Sequence, residues 1–142
     1  RDEIMGASIA HVACHASFEV ANPMFSSLRL GDGDLYVYDV ERLSAPPSTV
    51  VLSACDSGYS EARPGEELAG LTSALLRMGT RAVVASIGLV PDSPATSALM
   101  VDFHRRLISG STTAAALAAA QRESASDPAG LIAASSFIHV GA

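Results

Sequence analysis

Short apolar runs alternate along this chain with segments whose apolar residues return every three to four positions. "ASIAHVACHA" (7–16), "TVVLSAC" (49–55) and "TRAVVASIGLV" (80–90) are almost unbroken stretches of small and β-branched residues. Runs of that kind predict strands buried on both faces. "APPS" (45–48) forbids helix and introduces the second of them. In "ELAGLTSALLRMG" (67–79), Leu68, Leu71, Leu75 and Met78 recur at helical spacing and Gly79 supplies a stop. "PDSPATSALMVDFHRRLISG" (91–110) opens with Asp-Ser-Pro cap chemistry, with Asp92 at the helix start, and continues as an amphipathic helix to Gly110. "STTAAALAAAQRES" (111–124) predicts a further helix with Ser111 or Thr112 near its N-cap. "GDGDLYVYDVERL" (31–43) places turn residues before an alternating stretch, which predicts an edge strand or hairpin arm. "SDPAG" (126–130) reads as a break, and "SSFIHVGA" (135–142) as a last strand. The alternation predicts one α/β domain with a mainly parallel sheet and helices on both faces.

Composition narrows the class. The 142 residues suit one domain with a sizeable core. No apolar run of membrane-spanning length is free of charges or breakers, and no signal-peptide layout opens the chain, so neither a spanning helix nor a leader is expected. Net charge is −6 and every basic residue is a scattered Arg, which gives nucleic-acid binding no basic stripe. Two cysteines are too few for a disulfide framework, and the expected setting is reducing and cytoplasmic. No spacing of Cys and His suits a structural zinc site, so neither metal nor cofactor is expected.

Reactive groups gather at predicted strand ends. His15 closes the first strand and Cys55 the second. In α/β sheets, sites form beyond the C-terminal ends of parallel strands. A thiol of ordinary pKa, about 8.5, is only slightly ionised at neutral pH. A nearby imidazole can take its proton and later protonate a leaving amine. Ser57 and Gly58, small residues after Cys55, leave room for a substrate and for backbone N–H groups to face an oxyanion. A buried, inert cysteine and a structural histidine are the plainer alternative, because free Cys is among the most buried residue types.

Together, "AHVACHASFEVANPMFSSLRLGDGDLYVYDVERL" and "VVLSACDSGYSEARPGEELAGLTSALLRMGTRAVVASIGLVPDSPATSALMVDFHRRLISG" resemble the CHAT domain, through "AAALAAAQRE" to the closing "FIHVGA". This is a caspase-like peptidase module related to separases and often joined to tetratricopeptide repeats. The resemblance implies a three-layer caspase-like sandwich, with His15 as base and Cys55 as nucleophile of a peptide-bond hydrolase using no cofactor. It also implies oxyanion donors at Ala16 and Cys55, and a groove beside Asp56, Ser57 and Gly58. Tetratricopeptide repeats or other regulatory domains in the same polypeptide are the partners it suggests. Two positions depart from the family pattern: Ala16 follows the His where Gly is usual, and "ASIGLVPD" carries Gly88 where Trp is frequent. The chain corresponds to the C-terminal, catalytic part of such a domain, with further strands and helices expected ahead of it.

Other candidates have plainer roles. His11 and His15 would lie roughly 13 Å apart on a strand, too far for one metal ion, and His11 reads as structural. Cys14 faces away from His15 by alternation and reads as buried and inert. Asp56 reads as a turn residue or a substrate contact, Glu66 and Glu67 as favourable charges at a helix start, and His104 as solvated. "GDGDLY" does not sit between a strand and a helix, which argues against a phosphate loop. The leading expectation is a bacterial cysteine endopeptidase domain. The alternative is a non-catalytic peptide-binding or scaffold module, and nucleotide binding comes last.

Overall fold

A computed structural model describes residues 6–17, 19, 22–40, 42, 45–56, 66–87 and 90–142, with 23, 54–56 and 66–69 described by backbone alone. The elements in chain order are β1 (Ile9–Ser17), β2 (Ser27–Leu30), β3 (Gly33–Tyr36), α1 (Val37–Val40), β4 (Thr49–Asp56) and α2 (Glu66–Met78). They continue as β5 (Ala82–Ser86), α3 (Pro94–Ile108), α4 (Thr113–Ser124), α5 (Pro128–Ser135) and β6 (Phe137–Gly141). Among the described residues, a six-stranded sheet has the order β3-β2-β1-β4-β5-β6.

The sheet is mixed, which corrects the mainly parallel expectation. Among the described residues, β1–β4 and β4–β5 pair in parallel, whereas β1–β2, β2–β3 and β5–β6 pair antiparallel. For β2 and β3, connection length decides this. Leu30 pairs with Gly33 across Gly31 and Asp32, and a two-residue turn can only reverse the chain. "GDGDLY" is therefore a hairpin turn.

Each face of the sheet carries its own core. Val50, Leu52, Val83 and Ala85 pack with Val37 and Val40 of α1 and with Leu71, Ala74 and Leu75 of α2. On the other face, Val51 and Val84 pack with Leu99, Met100 and Phe103 of α3, Ala116, Leu117 and Ala120 of α4, and Ala133 of α5. Small side chains on α4 let it lie close to the sheet and to α5.

Three local signals resolve differently from their periodicity. The segment after Leu35 is the short helix α1, not a continuing strand. Val37 and Val40, three apart, both reach the core, and the Tyr36 N–H donates to Asp39 Oδ2 at 3.3 Å. "SDPAG" starts α5 instead of breaking the chain. Asp127 is the N-cap, its Oδ1 accepting from Gly130 N at 3.0 Å, and Pro128 takes the first helical position. A side chain at Gly130 would collide with the Ser124 carbonyl, so glycine permits the α4–α5 approach. The α3 cap is Ser93, not Asp92; its side chain accepts from Thr96 N at 3.3 Å. Thr112 caps α4 as one of the two expected residues. Gly79 (φ +108°) ends α2, with Thr80 N–H donating to Leu75 O at 3.1 Å.

Phe103 has no exposed surface, whereas Ile108 on the same helix is 86% exposed. Phe103→Ala is expected to cost about 3–5 kcal/mol, read as a lower urea midpoint at unchanged slope. Ile108→Ala is expected to stay within about 0.5 kcal/mol.

Candidate functional site

Parallel pairing of β1 with β4 aligns Ile9 with Thr49 and runs without interruption to Ala16 with Asp56, and His15 is the register partner of Cys55. Two residues forty positions apart in sequence thus stand side by side near the C-terminal ends of neighbouring strands. Alternation sorts β1 into two faces. Val12, Cys14 and Ala16 turn toward the α1–α2 core, while Ile9, His11, Ala13, His15 and Ser17 are exposed. On that second face α3, α4 and α5 cover Val51 and Val84 but leave His15 open. The row extends beyond β1, since His15 pairs with Arg29 on β2 and Arg29 with Asp34 on β3.

Cys14 is half-buried, and burial pushes its thiol up, only partly offset by a hydrogen bond with the Arg29 backbone. Ala16 is 2% exposed and pairs with Asp56 on one side and Leu28 on the other. No non-glycine among the described residues has positive φ, so Ala16 occupies this position without strain. Asp56 is the last residue of β4. Ser57, Gly58 and Gly88 lie outside the described residues.

The CHAT domain profile matches residues 1–142. The chain belongs to the CHAT domain family. That membership makes it a caspase-like, peptidase-related domain. No curated protein matches the chain significantly. No helix among the described residues is long and apolar enough to cross a membrane.

This CHAT domain holds a second cluster that sequence reasoning missed. His11 Nδ1 lies 2.9 Å from His104 Nε2 of α3, and His11 Nε2 lies 2.9 Å from Ser53 Oγ of β4. The two imidazoles stack, with centroids 5.0 Å apart. His104 is therefore half-buried against β1 and not on a solvated face. His11 is structural in the sense expected, linking both central strands to the helical layer. No local pattern signals the contact, because it joins residues 93 positions apart. The hydrogen bond between the rings needs a neutral nitrogen as acceptor. Burial lowers the pKa of His11, with repulsion from His104 adding to it, and burial lowers that of His104.

Among the described residues, no three His, Cys, Asp or Glu side chains cluster as a metal site would require. A cavity of about 360 Å³ lies between α3, α4 and the start of α5, and none of its lining residues belongs to β1 or β4.

Both histidine pKa values are lowered in the folded state, so the unfolded chain takes up protons first as pH falls. Stability is fully present above the unfolded value of 6.5 and is lost as pH drops from there toward the folded values. Melting temperature should fall on acidification through this window, and the fall should be shallower in a His11→Gln, His104→Gln double variant. An unchanged slope in that variant would show that the pair is not its source.

Proposed function

We propose that this CHAT domain is a cysteine peptidase in which His15 deprotonates Cys55 for attack on a peptide carbonyl. The single observation that supports the reading is the register pairing of His15 with Cys55 on adjacent parallel strands, at an open part of the sheet. Attack forms a carbon–sulfur bond and a tetrahedral oxyanion. Collapse breaks the carbon–nitrogen bond as the His15 imidazolium protonates the departing amine, leaving a thioester on Cys55. Water activated by the same imidazole then releases the acid. Backbone N–H groups at this edge stabilise the oxyanion, Cys55 among them. A donor role for Ala16 requires its N–H to leave the ladder it shares with Asp56 and Leu28. Asp56, Ser57 and Gly58 border the groove on this reading. The layered sheet is the caspase-like sandwich, the substrate is a protein, and tetratricopeptide repeats or another regulatory domain on the same polypeptide direct the activity.

The position of Ala16 favours a second reading, in which the same edge binds a peptide without cutting it. Ala16 is held inside the ladder at a place where the peptidase chemistry would use a backbone donor.

Alkylation by iodoacetamide across pH, read by mass spectrometry at each cysteine, separates the two. Cys55 should react with a midpoint below the ordinary thiol value of about 8.5, and His15→Ala should remove that advantage. Cys14, whose thiol is pushed up by burial, provides the internal reference. A Cys55 that titrates like an ordinary thiol regardless of His15 would overturn the peptidase reading.

A further inference from the structure

Three elements contribute one residue each to a hydrogen-bonded chain: Ser53 of β4, His11 of β1 and His104 of α3. Ser53 Oγ lies 2.9 Å from His11 Nε2, and His11 Nδ1 lies 2.9 Å from His104 Nε2. The His11 ring thus stands between a hydroxyl on one nitrogen and a possible acceptor on the other. With that connectivity a histidine takes the proton of a serine while a third group orients the ring. Such sets are recognised by geometry and role, not by their place in a sequence.

The hydroxyl selects the tautomer. Among the described residues, Ser53 Oγ bonds to His11 Nε2 alone. With its proton on Nδ1, His11 donates to His104 Nε2, and its free Nε2 accepts the Ser53 O–H. The opposite arrangement leaves the hydroxyl proton without a protein acceptor. Burial lowers the pKa of both rings and keeps them neutral at neutral pH, so the accepting nitrogen is available. Ser53 is half-buried. Its register partner Ala13 is exposed and carries only a methyl group, which leaves the β1 side of Ser53 open to a small molecule.

We propose that Ser53 is a second nucleophile of this domain, with His11 as its base and His104 as a positioning residue, acting on esters that carry a small acyl group and a good leaving group. Ser53 Oγ bonds to the acyl carbon as its proton passes to His11 Nε2. The carbon–oxygen bond to the leaving group breaks, and the His11 imidazolium protonates the departing alcohol or phenol. Water deprotonated by His11 then attacks the Ser53 ester, releasing the acid and restoring the serine. None of these steps uses Cys55 or His15, so this centre stands or falls apart from the peptidase reading.

An alkyl fluorophosphonate tests the nucleophile, since Ser53 Oγ bonds to phosphorus, fluoride leaves and His11 takes the proton. Both thiols are first capped with iodoacetamide, and labelling rates are read residue by residue by mass spectrometry. Ser97 and Ser109, whose hydroxyls donate to the backbone carbonyls of Ser93 and Arg105, are the references. Ser53 should label about a hundredfold faster than either, the lower range for a positioned base. His11→Gln should bring it to their level. His104→Gln, which keeps an acceptor for the His11 Nδ1–H, should label faster than His104→Leu, and equal rates would overturn the positioning role. A Ser53 in the wild type no faster than Ser97 and Ser109, or a rate that survives His11→Gln, overturns the centre. The capped protein should also hydrolyse p-nitrophenyl acetate, and hydrolysis unchanged by Ser53→Ala overturns the esterase activity.

Discussion

The parallel ladder between β1 and β4 holds the rest of this CHAT domain in place, and its register is fixed by burial. Val12, Cys14 and Ala16 on β1 lie beside Leu52, Ala54 and Asp56 on β4, so the first strand offers apolar side chains to the α1–α2 core at every second position. A slip of β1 by one residue would reverse its faces. His11 and His15 would then enter the apolar core, and Val12 and Ala16 would turn out to solvent. Burying two imidazoles without partners while exposing apolar surface is costly on both counts. The alignment of His15 with Cys55 therefore follows from packing on the opposite face of the sheet.

Coverage of the sheet is unequal, and the inequality leaves His15 exposed. Helices α3, α4 and α5 seal one face of β4 and β5 down to fully buried Val51 and Val84. The same face of β1 keeps exposed surface from Ile9 to Ser17, although the His11 ring is partly covered where His104 of α3 stacks on it. The helical layer reaches as far as His11 of β1, which bonds Ser53 of β4 on one side and His104 of α3 on the other. This polar link ties the helical layer to both central strands at the margin of the apolar core. One end of the sheet is thereby anchored while His15 and Arg29 stay exposed.

Much of this architecture is legible in the residues. Strands β4 and β5 announce themselves as short apolar runs, as does β1, although the structure buries only one face of β1; α2, α3 and α4 do so through helical spacing, and α4 also through its cap Thr112. The opposite orientations of Cys14 and His15 follow from alternation alone. Short elements were harder to see. Four-residue β2 and α1 hold too few positions for a period to emerge, and α5 is hidden because Asp127 and Pro128 serve equally well as a turn or as a helix start.

What the sequence by itself determined is therefore the set of longer elements, the face each strand residue takes, and the two residue types worth following at the strand ends. Tertiary structure decided the mixed order of the sheet, the link between His11 and His104, and the row that places Arg29 beside His15. The physical reason is range. Periodicity and capping are set within a turn or two of chain, whereas strand order and cross-sheet neighbours depend on which apolar faces can be buried together once the loops close.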